Sequence, residues 1–100
     1  LIDLTKAVIS FDYQSSELAQ TSRSLKTLYS TPEGTVPMDR GFGLSQEYVG
    51  YPIDAAKNLV ALDIIEKTEK YEPDLKVKDI SFALGNEGEL IPTILITRSE

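Results

Sequence analysis

"LKVKDISFALGNEGELIPTILITR", residues 75–98, decides the fold class of this chain. Leu75 and Val77, then Ile80, Phe82 and Leu84, recur at the two-residue period of a strand. The alternation slips by one position at Lys78–Asp79, which predicts a bulge. "GNEGE" (85–89) has the Gly and Asn that a tight hairpin turn requires, and "LIPTILITR" (90–98) is the return strand. Pro92 has no N–H to give to a ladder. The expectation is therefore an edge strand, or a Pro92 whose missing N–H faces outward.

Working outward, "IDAAKNLVALDIIEKTEKY" (53–71) is the strongest helix. Pro52 or Asp54 marks its start, and Pro73 stops it just after Glu72. Its apolar residues form two rows. Ala56, Val60, Ile64 and Tyr71 follow one; Ala55, Leu59, Leu62 and Ile65 follow another, roughly opposite at about 100° per residue. A sheet covers only one row, so either the first helix or another protein chain must cover the second.

Before this helix, "TPEGTVPMDRGFGL" (31–44) reads as a hairpin. Pro32 suits the second position of a turn and Gly34 supplies a positive φ. Val36 and Met38 alternate along an outgoing strand, shaped by Pro37, while Gly41 and Gly43 let it bend past Phe42. Leu18, Leu25, Leu28 and Tyr29 predict a helix over 16–29, with Ser15 or Ser16 as N-cap and packing compensating for its serines and threonines. Residues 1–15 read as an arm or short strand, with "KAVISFDY" (6–13) loosely alternating, and 16–100 as the domain. The expected fold is α+β, order α-β-β-α-β-β, with two helices on a small antiparallel sheet.

Composition narrows function. One hundred residues suit one domain, and 41% apolar with 26% charged residues is ordinary for a globular protein. No apolar run approaches the roughly 20 residues of a membrane span, and no basic n-region marks a secretory signal. A net charge of −6 argues against nucleic acid as partner. Lys67, Lys70, Lys76 and Lys78 are interleaved with Glu66, Glu69, Glu72 and Asp79 and read as a solvated mixed-charge surface. The chain has neither cysteine nor histidine, so disulfides, Cys-rich zinc sites and the commonest general base are all missing.

The remaining chemical patterns fail in turn. "GTVPMDRGFG" matches neither phosphate-binding glycine motif. Glu33, Asp39, Glu47 and Glu72 offer carboxylate pairs for glycoside hydrolysis, but sixteen acids make some pair inevitable and no tryptophan walls a cleft. "GNEGE" is a turn before it is a calcium loop. The reading is of no catalytic residue, no metal and no cofactor. One polar feature stands out. Glu66, Glu69 and Glu72 lie in the last turns of the long helix, where the carbonyls already carry partial negative charge. Glu72 therefore calls for a cation, either Arg40 or a basic group on another protein.

In order and spacing, these segments resemble the phage baseplate wedge family, whose relatives include the W protein of contractile-tailed phages and the TssE component of type VI secretion. Thr31, Gly34, Pro37 and Gly43 fit the family's Thr-x-x-Gly-x-x-x-Pro-x-x-Gly-like segment, and Glu72 and Pro73 open its Glu-Pro-Arg. The likeness spans roughly residues 16–97. Asp74 departs from it, standing where the family has arginine, so that any contact of the arginine is lost here or replaced by Arg40 or Lys76.

The resemblance implies a structural protein that contacts other wedge subunits and sheath subunits, several copies to a ring. Its place is the tail baseplate, or the bacterial cytoplasm before assembly. Some relatives carry a lysozyme label, which no residue here supports. The partner-binding candidates are Glu72, Pro73, Asp74, Arg40 and Phe42, with Ile94 and Ile96 on the expected edge strand. Thr31, Pro32, Gly34, Pro37, Gly41 and Gly43 shape the loop. A small peptidoglycan-hydrolase-like enzyme and a regulatory protein-binding module of the same fold are the alternatives.

Overall fold

The computed structural model describes residues 2–45 and 47–98. Two helices, Leu18–Ser30 (α1) and Ile53–Tyr71 (α2), pack on a sheet of Val8–Phe11 (β1), Leu75–Leu84 (β2) and Leu90–Arg98 (β3). Short 3-10 turns at Leu4–Lys6 and Glu47–Gly50 precede β1 and α2. The α+β class, α2 and the terminal hairpin are as the residue pattern predicts, including the register shift between Val77 and Asp79.

The sheet itself departs from expectation. Its order is β1-β3-β2, with β2 antiparallel and β1 parallel to β3, so it is mixed and three-stranded. The third strand comes from the N-terminal segment rather than from residues 31–44. That loop contains no strand, only one bridge between Pro32 and Leu44. Gly34, Met38 and Gly43 all take positive φ, which breaks an extended run before a ladder can form.

β3 is consequently central, not an edge. Ile94 and Ile96 are completely buried on its core-facing side, alternating with the partly exposed Leu95. Pro92 is tolerated because of where the ladders fall. Gly85 N–H donates to Glu89 O (2.7 Å), and alternation along an antiparallel pair makes Phe82–Pro92 a pair without hydrogen bonds. The nitrogen of Pro92 then faces the β1 side. There the Leu4–Lys6 turn interrupts pairing, between the Ile2–Leu90 bridge and Val8–Thr93.

The core lies between the helices and one face of the sheet. Leu25, Leu28 and Tyr29 of α1 and Ala56, Val60 and Ile64 of α2 meet Ile94 and Ile96, with Leu4 and Leu44 closing the sides. α1 begins without a side-chain cap: Glu17 occupies the N-cap position, and Ser15 Oγ only accepts from the Glu17 N–H at 3.2 Å. Packing holds it instead, since Tyr29, pushed up to about 12 by burial, shares a buried 2.6 Å hydrogen bond with Thr68 of α2. α1 lies against β1, the Leu4–Lys6 turn and, through Tyr29 and Thr68, the core-facing side of α2 rather than its second apolar row. Leu62 on that row is 59% exposed. Among the described residues no helix is long and apolar enough to cross a membrane.

Candidate partner-binding site

The loop between α1 and α2 is organised around a lysine. Lys67 sits three residues after Ile64 and seven after Val60, on the row of α2 that faces the core. Its ammonium is buried and donates to Glu33 Oε2, to Gly41 O (2.9 Å) and to Gly43 O (2.7 Å), with Asp63 Oδ1 at 3.9 Å. Three N–H groups thus meet three acceptors, which is what a buried ammonium needs. Lys67 is therefore not part of a solvated mixed-charge surface. A lysine in register with an apolar row was the sequence signal for it.

Further bonds fix the loop. Glu33 N–H donates to Leu44 O and Leu44 N–H to Thr31 O, each 2.9 Å, and Thr31 Oγ1 donates back to Thr27 O at 2.6 Å. A Cβ on Gly43, at φ 104°, would collide with Thr31 O, so only glycine lets the two limbs of the loop close. Asp39 N–H donates to Val36 O (3.2 Å) across Pro37 and Met38, and Met38 takes φ 71° where such a turn asks for glycine. Pro32 and Pro37 limit the loop's freedom, and its two limbs are tied together by these hydrogen bonds.

Glu72 ends α2 beside it. Its N–H donates to Thr68 O (2.8 Å) and its carbonyl accepts from Leu75 N–H (2.9 Å), which turns the chain into β2. Among the described residues no hydrogen bond or ion pair reaches its half-buried carboxylate. Arg40 does not provide one: its Nη1 donates to Gly34 O at 2.9 Å, within the loop. Of the two cations expected for Glu72, Arg40 is thus engaged elsewhere, because the loop folds back on itself and turns its arginine to its own carbonyl.

Two of the clefts that open from Glu72 bear on recognition. One, of about 330 Å³, has Leu25, Leu28, Phe42 and Tyr71 as apolar walls with Ser24 and Thr27 at the rim. Phe42 stacks edge-on against Tyr71, ring centres 5.1 Å apart, and Tyr71 OH donates to Asp39 Oδ1 at 2.9 Å. The other, of about 410 Å³, is polar and lined by Tyr13, Glu17, Thr21, Asp74 and Arg98. Arg98 lies over the Tyr13 ring at 4.8 Å, while burial pushes the Tyr13 phenol up.

Glu72, Asp74 and Phe42 are thus brought together around these clefts, with Pro73 exposed between them. Arg40 is exposed and apart, and Ile94 and Ile96 face the interior. The side chain of Glu47 lies outside the described residues. Tyr13 and Arg98 carry no local signal of their role, because the N-terminal segment and the end of β3, distant in sequence, bring them to the cleft at Glu72, whereas Tyr71 is its chain neighbour. Chemically, an unpaired carboxylate beside apolar walls suits recognition of a cationic side chain. Among the described residues, no group of three or more Asp or Glu is arranged to hold a metal ion. No protein-family model matches the chain, and no curated protein and no solved structure matches it either.

Proposed function

We propose that this chain is a structural subunit of the baseplate of a contractile tail or injection machine, joining wedge subunits and helping to anchor the sheath. The observation that carries this reading is Glu72, a half-buried carboxylate at the negative end of α2 that no hydrogen bond or ion pair reaches among the described residues, Arg98 only lining the same polar cleft. Alone in solution, that arrangement costs stability. Against a partner's arginine or lysine it becomes a charge-assisted contact with a desolvated surround. The hydrogen-bonded 31–44 loop and the Phe42–Tyr71 pair supply the apolar part of such an interface. The resemblance to wedge proteins names the partners: other wedge subunits and the sheath.

The sheath contact belongs on a free edge. β3 is occupied on both sides, so the outer edges of β1 and β2 are the ones left to accept a partner's strand. The place of action is the tail baseplate, after assembly from the bacterial cytoplasm.

Co-expression with the products of neighbouring genes tests the reading. Glu72→Gln should fold normally and weaken wedge co-purification by on the order of 2 kcal/mol or more. An unchanged complex would return Glu72 to a merely solvated role. The pure protein should release no peptidoglycan fragments above the buffer rate; release would replace this function with a hydrolytic one.

A further inference from the structure

We infer that the outward face of α2 is a second docking surface, shaped for a basic amphipathic helix of a partner protein. It stands independently of the baseplate reading and uses none of the residues around Glu72. The surface is a cleft of about 230 Å³ lined by Ser45, Tyr48, Leu59, Leu62, Asp63 and Glu66. Ala55, Leu59, Leu62 and Glu66 fall within about 60° of one another on the helix. Leu62 is 59% exposed in mid-helix, although α1 is available in the same molecule to cover it and packs elsewhere.

Charge specifies the occupant. α2 has four acids and three lysines, and apart from Lys67, which has Asp63 Oδ1 at 3.9 Å, the fold turns its lysines away from its acids. Lys67 is buried in the loop, Lys57 lies over the Phe82 ring at 5.9 Å, and Lys70 lies over the Tyr71 ring at 5.2 Å. Asp54, Glu66 and Glu69 are left exposed with no lysine turned to them, and Asp63 accepts from Ser45 N–H at 2.6 Å at the edge of the cleft. Glu66 and Glu69 are also like charges three apart in the C-terminal half of the helix, where both neighbour and helix dipole oppose them. A solvated face has no use for that arrangement. A partner's Lys or Arg residues relieve it.

The shape specifies a helix. From Leu59 to Glu66 the row runs about 10 Å along α2, two turns, with Tyr48 as the opposing wall. An apolar ridge at i, i+3, i+4 and i+7 on a second helix fits such a groove, and its basic flanks meet Glu66 and Glu69.

The probe is a synthetic peptide of leucine and lysine at helical spacing, compared with its leucine–glutamate counterpart, titrated against the full chain by fluorescence anisotropy. The lysine peptide should bind, more weakly as salt is raised, and the glutamate peptide should not. Leu62→Gln and Glu66→Lys should each weaken binding at least tenfold with urea unfolding unchanged, and Glu72→Gln should leave it as it was. Equal binding by the wild-type chain and both variants overturns the proposal. So does loss of binding in Glu72→Gln alone, which would place the peptide in the other cleft, and so does binding of neither peptide.

Discussion

Lys67 and Met38 show how single residues set the 31–44 loop. Lys67 is buried with its three donors satisfied, so replacing it leaves Glu33 and two glycine carbonyls without their partner. Lys67→Met should lower stability by about 2–3 kcal/mol in urea denaturation and expose the loop's amides to hydrogen exchange. A loss below about 0.5 kcal/mol would mean the loop closes without it. Met38 is the opposite case: its side chain is fully exposed, yet its φ of 71° is one that a side chain disfavours. Met38→Gly should raise stability by up to about 1 kcal/mol, since no packing is lost and the backbone strain goes. A drop in stability would show that the side chain packs on the loop.

At the scale of elements, β1 is the one whose attachment is conditional. Ion pairs clip it at both ends, Lys6 to Glu89 (2.5 Å) and Asp12 to Lys78 (3.0 Å), and Asp12 N–H donates to Ile96 O at 3.1 Å. Its hydrogen bond to Lys6 holds the Glu89 carboxyl below its ordinary 4.5, and Lys78 does the same for Asp12 below 3.8. Groups with lowered pKa stabilise the fold above their unfolded values and lose that contribution as pH falls through the folded ones. The Lys6 pKa is raised above 10.5, so its share disappears only in strong alkali. Exchange protection of the β1 amides should therefore hold from neutral pH down to about pH 4.5 and fall below it. Glu89→Gln should flatten the upper part of that decline; an identical profile would take Glu89 out of the attachment.

At the scale of the molecule, the N-terminal segment completes the sheet instead of hanging from it. Ile2, Leu4 and Ala7 are buried, and Ile9 and Phe11 pack against the core. Removing residues 1–12 should cost at least about 3 kcal/mol from the buried Ile2 and Leu4 alone. Urea unfolding that stays cooperative, with its midpoint unmoved, would show the arm to be dispensable.

The sequence by itself determined what is local. α2 at 53–71 and the strands at 75–84 and 90–98, bulge included, are legible because hydrophobic periodicity and the stops at Pro73 and Gly85 act within a few residues. The oddity of Glu72 is legible too, since the dipole of its helix is a local field. The tertiary structure alone decided the rest. Strand order places β1 beside β3, more than eighty residues away, and so moved the return strand from edge to centre. The loop lost its expected strands to a lysine on the far helix, and Arg40 went to its own loop rather than to Glu72. These outcomes depend on which distant groups meet. Periodicity specifies which face of an element is buried, but it does not specify what the other elements bring to that face.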